Sequence, residues 1–360
     1  MPAKPLKIKN RKAYLRKSIS TPKFDTDRVL TRDAFDFGSV WLQQNCADAI
    51  PFWSQAHSYY LASQNLPTNS SPLTSYYCFL NATKALLHCK GVSFSEQHGV
   101  SGDFSASKRT LSNETISIFE KGVLGSLSKH LNEKEKEKTH TLKEVLSNLP
   151  FIHRAYRYTY VSEKELFIPL RDVFYRKNPN DNYVWISASI AGRYADGRSS
   201  RTLPKSFEVD EGFAAQAESS SNNHKKGVEI RLKQKVKWIG QSSNSEEQER
   251  ANSRLFHYHR KARKDLVYIS ASPTLWYLKR DVAGTRRLDR YGLTLIMAAM
   301  HRLSELSRYD PQGLNKYLEG KEAWLVSEFI KLAPNQFIDE LLCEMTSLEL
   351  SLPGVRPSNI

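Results

Sequence analysis

Four side chains able to make hydrogen bonds, Tyr77, Asn81, Lys84 and His88, recur at i, i+4, i+7 and i+11. On a helix that spacing puts them in one stripe. His301, Ser304 and Arg308 make a second stripe, at i, i+3 and i+7. If both segments are helical and pack together, the stripes meet as one polar cluster. Its members then need partners, because an unsatisfied buried polar group costs about 1–3 kcal/mol. The same stripes would serve equally well to set helix register, since buried polar networks often do no chemistry.

Charge marks a second group of residues. Lys+Arg 53 against Asp+Glu 38 gives a net charge of +15. Residues 1–23 hold Lys4, Lys7, Lys9, Arg11, Lys12, Arg16, Lys17 and Lys23 without an acid. Such a stretch reads as a flexible basic arm, residues 1–30, that binds phosphates by counterion release or acts as a solvated tail. The segment Arg254 to Arg290 holds ten basic and three acidic residues, with Phe256, Tyr258, Tyr268, Trp276 and Tyr277 among them. Cations with stackable rings are what a single-stranded nucleic-acid surface needs.

Other chemistries find no support. Gly122 to Lys129 lacks the lysine that follows the second glycine of a phosphate-binding loop, and no dinucleotide glycine pattern follows a strand. Cys46, Cys78, Cys89 and Cys343 fall in helical segments without the paired spacing of a zinc site. No cofactor and no metal is expected, and a reducing cytoplasm is the natural setting. No run approaches the roughly 18 apolar residues of a membrane span. The basic N-terminus is not followed by the apolar stretch of a secretory signal.

The elements that must position these residues run helical, then β, then helical. Residues 31–150 carry helical signals, clearest in the segment from Ser71 through Pro72 to Gly91, and Tyr77 to Lys84 lie on it. Residues 151–285 are rich in β-branched and aromatic residues: Tyr156 to Val161, Leu166 to Tyr175, Tyr183 to Ile190, Val228 to Trp238, Leu266 to Ser270 and Leu275 to Leu278 read as strands. Ala217 to Lys226 and Gly240 to Asn252 read as polar loops, and Arg254 to Lys264 as a basic hairpin. Residues 286–350 return to helical spacing, with separate helices around Leu325 to Leu332 and from Pro334 to Leu348, ahead of a tail over 351–360. The order indicates an α+β fold without alternating βαβ units.

Three blocks carry a family resemblance. The run from Ser71 to Leu87, with Tyr76-Tyr77, Asn81 and Lys84, resembles the signature helix of the YaaC-like family. Gln97-His98-Gly99 and the block from His301 to Pro311, with Arg308-Tyr309, resemble its other two. The likeness covers most of residues 30–350 and leaves the basic arm outside. It implies a bacterial cytosolic protein in which N- and C-terminal helices form a HEPN-like bundle with a β-rich middle region. It also points to Tyr77, Asn81, Lys84, His98, Arg308 and Tyr309 as binding residues. HEPN proteins include ribonucleases in which four to six residues separate an arginine from a following histidine, and Arg254 with His259, or Arg250 with His257, has that spacing. The chemistry suits metal-independent RNA cleavage, with histidine moving a proton and arginine holding the phosphate.

The expectation is therefore a non-enzymatic binding or assembly component, of a bacterial antiphage defence or stress system, engaging a protein partner, a second copy or nucleic acid. Its arm would act through Lys7, Lys9, Arg11, Lys12, Arg16 and Lys17. The alternative is a ribonuclease using Arg254 and His259.

Overall fold

The computed structural model describes residues 3–104, 106, 108–190, 194, 201–210, 227–239 and 245–351. The loop expected over Ala217 to Lys226, most of the tail over 351–360 and the start of the loop at Gly240 lie outside them.

The helices begin where local chemistry places them. The Asp33 carboxylate caps α1 (Ala34–Asn45) by accepting from the Phe35 and Asp36 N–H groups at 2.7 and 3.1 Å. Pro51 and Pro72 occupy the first turns of α2 (Ile50–Asn65) and α3 (Ser71–Cys89), where a missing N–H costs nothing. Gly91, at φ +64°, ends the chain's clearest helix in the left-handed conformation. Three short helices follow: α4 (Val123–His130), α5 (Leu142–Ser147) and α6 (His153–Thr159). Helix α7 (Ser245–Ala262) lies within the sheet region, and after it come α8 (Gly292–Tyr309), α9 (Pro311–Glu319) and α10 (Ala323–Thr346). Helix α3 runs through the middle of the helical layer, with Tyr76, Phe79 and Leu86 packed among Trp53, Met297, Leu303 and Phe337. The Phe79 and Phe337 rings stack at 4.2 Å.

The first thirty residues supply β1 (Lys4–Pro5), β2 (Lys7–Ile8), β3 (Arg11–Lys12) and β4 (Arg28–Leu30). Strands β5 (Val100–Phe104), β6 (Glu114–Ile118) and β7 (Thr139–Thr141) form a small antiparallel sheet against the helices. The large sheet takes β8 (Phe167–Lys177), β9 (Tyr183–Ile190), β10 (Phe207–Val209), β11 (Val228–Leu232), β12 (Val236–Lys237), β13 (Leu266–Ile269) and β14 (Leu275–Lys279). Its order is β10-β11-β9-β8-β14-β13, with β1 added to β8 and β12 to β9, all antiparallel. A last strand, β15 (Glu349–Ser351), pairs in parallel with β4.

The expected HEPN-like bundle with a β-rich middle is not what the chain forms. The fold is α+β, 46% helical and 20% strand, and its sheet curls into a half-barrel. That half-barrel has a core of its own, built from Ile168, Tyr175, Ile186 and Ile230 with Leu255 and Tyr258 of α7. Helix α7 packs there because Ala251, Leu255, Tyr258 and Ala262 are buried at i, i+4, i+7 and i+11. Arg254 to Ala262 is thus helix and not hairpin. Tyr156 to Thr159, expected as strand, lies in α6, where tertiary contacts outweigh aromatic β propensity. The two expected C-terminal helices are one, with Pro334 inside α10 and buried.

The N-terminal residues are not a separate flexible arm. Lys9 and Asn10, at φ +46° and +63°, make the two-residue turn of the β2–β3 hairpin. Leu6, Ala13 and Leu15 enter the sheet core. Residues Arg16 to Ser20 are then buried between the sheet and the helices. Apolar residues spaced along a basic stretch fold it in, together with the pairing of β1 on β8 and the bonds of Lys17 and Ile19 to Asp339 and Glu344.

Candidate functional site

The three sequence blocks do converge, around rings. Tyr76 and Tyr77 of α3 face the loop that carries His98, and His301 of α8 completes the group. The Tyr76 hydroxyl lies 2.8 Å from His98 Nδ1. Ring centroids are 5.3 Å apart for Tyr76 and His98, 4.8 Å for Tyr76 and His301, and 5.7 Å for His98 and His301. The Gln97-His98-Gly99 step is held by backbone. Gln97 and His98 carbonyls accept from the Val123 and Leu124 N–H groups at 2.8 and 3.1 Å, which satisfies the open N-terminus of α4. A Cβ on Gly122 would come within 2.5 Å of the Gly99 nitrogen, so the two loops cross as closely as glycine allows.

The predicted members split at this cluster. Tyr77 stacks on Tyr59 at 5.3 Å and meets His98 edge-on at 6.5 Å. Asn81 is buried but spends its amide on the Tyr77 carbonyl of its own helix, at 2.9 Å. Lys84 is ion-paired with Glu96. Arg308 is exposed over the ring of Tyr309, 4.5 Å from its centroid, and Tyr309 is 75% exposed. Burial depresses the His98 pKa, and the charges of Arg308 and Lys84 depress it further. His301 is driven to about 3 by burial, then by His98 and Arg308. Both rings are therefore neutral at physiological pH.

Sequence reasoning missed Glu114, the anchor behind this cluster. Fully buried, it accepts from Arg302 Nε and Nη2 at 2.8 and 2.6 Å and from the Tyr317 hydroxyl at 2.7 Å. Arg302 also reaches Glu305 at 3.0 Å. A lone glutamate in a short strand gives no sign of partners roughly two hundred residues away.

The ribonuclease pair does not converge. His259 is completely buried, its Nε2–H donating to the Ser18 carbonyl at 2.7 Å and its Nδ1 accepting from the Tyr175 hydroxyl at 2.8 Å. Burial lowers its pKa to about 3, so the ring is neutral with both nitrogens engaged. Arg254 is exposed on the other side of α7, with its Nε 3.4 Å from the Lys237 carbonyl. Arg250 pairs at the surface with Glu246, and His257 is exposed.

The N-terminal cations also divide. Arg11 pairs with Asp27 at 2.5 Å, and Lys12 lies over the Phe174 ring at 3.5 Å. Arg16 donates to the Phe24 and Thr26 carbonyls at 2.8 and 3.0 Å. Lys17, 2% exposed, pairs with Asp339 at 3.0 Å and donates to the Leu350 carbonyl at 2.8 Å. Lys7 and Lys9 instead line a cavity of about 1200 Å³ between the β2–β3 hairpin and α7. Its rim carries Lys4, Lys7, Lys9, Lys23 and Lys177, and its floor Leu6, Phe24, Trp238, Leu255 and Phe256. Lys9 is held by Asp25 at 2.5 Å. Among the described residues, Lys4, Lys7, Lys23 and Lys177 have no carboxylate partner. The apolar period of α7 was the sequence signal for this groove, hidden among its many charges.

Among the described residues no helix is long and apolar enough to cross a membrane, and no three His, Cys, Asp or Glu side chains gather to hold a metal. No curated protein and no solved structure matches the chain. The family model described as YaaC-like Protein matches residues 9–345, a range that takes in most of the N-terminal segment as well as the three blocks. The chain belongs to the YaaC-like family.

Proposed function

We propose that this protein binds single-stranded nucleic acid, without cutting it, in the groove between the β2–β3 hairpin and α7. The observation that carries the reading is the pairing of unpartnered lysines on the rim with an apolar floor. Phosphates take the cations and release their counterions, while an unstacked base lies over Phe256, the partly exposed ring of the floor. A duplex offers no such apolar faces, because its bases are stacked inside. The excess charge of +15 draws a polyanion in before contact. The protein acts as a binding component of a larger assembly, and His259, with both nitrogens engaged, takes no part in chemistry.

The test is anisotropy of a labelled single-stranded oligonucleotide titrated with the full chain across a salt series. Wild type binds, and the double variant Lys7→Glu/Lys23→Glu binds more weakly with a flatter salt slope. Each lost phosphate contact reduces the slope by about 0.7 for a single strand. Equal binding by wild type and variant at every salt concentration refutes the proposal. Shortening of the oligonucleotide during incubation refutes its non-catalytic part.

A further inference from the structure

The groove continues along α7. Its cavity shares Asn252 and Phe256 with a second of about 450 Å³, which adds Ser20, Thr21, Ser253 and His257 and one acid, Glu249. That one shares His257 and Arg260 with a third of about 390 Å³, walled by Lys134, Lys264, Arg287 and Tyr291. Asn252, Phe256 and Arg260 stand at i, i+4 and i+8, so one helical stripe floors all three. A strand lying in the groove is led to the third cavity.

That last cavity is built differently from the groove. Lys134, Arg260, Lys261, Lys264 and Arg287 face it, against only Asp265 and Asp289. Arg287 is taken by Asp265 and by Asp281, at 2.9 Å from the latter, and Lys264 by Asp289 at 2.7 Å. Lys261 donates to Gln234 at 2.9 Å. Arg260 has no such partner among the described residues, and its Nε is sealed from solvent while donating to nothing. Its backbone is pinned, because the Tyr291 hydroxyl donates to its carbonyl at 2.9 Å. A guanidinium that lines the cavity without a committed partner suits an acceptor with several oxygens. A phosphate monoester, with three terminal oxygens and nearly two negative charges, suits it better than a diester linkage with one. The carbonyl end of α7 opposes an anion, but the dipole of one helix end is about half a charge against two uncommitted cations, Arg260 and Lys134.

We infer that the cavity around Arg260 and Lys134 binds a phosphate monoester, the phosphorylated end of a strand lying in the groove. This rests on the groove reading for the strand, and on the cavity alone for the phosphate. A free nucleoside monophosphate presents the same group, so the experiment separates the two sources.

Oligonucleotides of one sequence, ending in 5′-phosphate, 5′-hydroxyl or 3′-phosphate, are titrated with the full-length chain, alongside adenosine monophosphate and inorganic phosphate. Wild type prefers one phosphorylated end over the hydroxyl end by at least about tenfold, what one charge-assisted hydrogen bond contributes. Arg260→Gln and Lys134→Gln lose that preference, and Lys134→Gln keeps the affinity for the hydroxyl-ended strand. Lys134 is exposed on a loop, so its variant answers the question even where Arg260→Gln unfolds. Adenosine monophosphate binding that depends on Arg260 or Lys134, without any strand-end preference, supports the cavity and assigns it to a small molecule. Indifference of every phosphorylated ligand to both residues overturns the inference. Failure of the groove reading shows separately, as strand binding that ignores Lys7 and Lys23.

Discussion

The helical layer and the curled sheet use charge in opposite ways. Behind the helices, and where they meet the sheet, charges are interior and paired. Glu114 gathers Arg302 and Tyr317, Glu133 holds Arg290 at 3.0 Å, and Glu344 takes the Ser18 hydroxyl and the backbone of Ile19. Along the outer face of α7 the cations stand at the surface with few carboxylates to meet them. Interior charges of this kind specify which segments meet; surface cations left open specify what the molecule can meet. The ring cluster at His98, where the sequence blocks converge, belongs to the first class, and the groove to the second.

The largest expected effect lies in the first class. Glu114→Ala leaves Arg302 with Glu305 alone and the buried Tyr317 hydroxyl without an acceptor, and should cost about 2–3 kcal/mol, read by chemical denaturation. A loss no greater than that of a surface substitution would mean that the interior network contributes no more than the open cations.

Acid should reveal the same class. His259 and His301 sit at about 3 in the fold, below the unfolded 6.5, so the unfolded chain takes up their protons first as pH falls. Stability from both is present above pH 6.5 and is lost toward 3, at about 1.4 kcal/mol per pH unit for each group. Glu344, held near 2 against 4.5, adds a loss below pH 4.5. Glu340, raised to about 7 by burial, works the other way and loses its contribution as pH rises from 4.5 through 7. Among these four groups the net slope between pH 4.5 and 6.5 is positive, and Glu340→Gln should steepen the measured one. A flat profile over that range would contradict the assignment of both histidines as buried and neutral.

Smaller effects belong to the open cations. Lys4→Glu and Lys177→Glu should each weaken strand binding and flatten the salt dependence, with denaturation midpoints unchanged. A shifted midpoint would place these lysines among the engaged charges. Smallest of all, Arg308→Ala should change stability by no more than about 0.5 kcal/mol, since the side chain is exposed over Tyr309. A larger loss in a melting experiment would put Arg308 inside the polar cluster after all.

Legibility in the sequence followed locality. Helix α3 was readable because Pro72 and Gly91 sit at its ends and its apolar residues keep one period. The strands from Phe167 to Ile190 were readable from β-branched and aromatic residues. Helix α7 was not, since its glutamates and arginines mask four apolar positions and its histidines at 257 and 259 mimic strand alternation. The likeness to a HEPN bundle failed for a related reason: it describes helices and is silent on a sheet that brings its own core. At the ring cluster, His98 and Tyr77 could be foreseen, but the burial of Lys17 could not. Its partner Asp339 is 322 residues away, and nothing near Lys17 distinguishes it from the lysines that stayed outside.

That distance has a consequence for how the chain is made. Residues 17–20 run through the molecule's interior held by Asp339 and Glu344, and β4 closes against β15. Residues 17–20 therefore find their acceptors only after a further three hundred or so residues have been made. Until then Lys17 and the neighbouring N–H groups remain in water, and the apolar side chains around them lack their final cover. Contacts this remote in sequence are slow to form and leave intermediates open to aggregation. Synthesis of this protein thus includes a waiting period, set by translation speed, during which a holding chaperone or a bound polyanion on the exposed lysines would protect the unfinished chain.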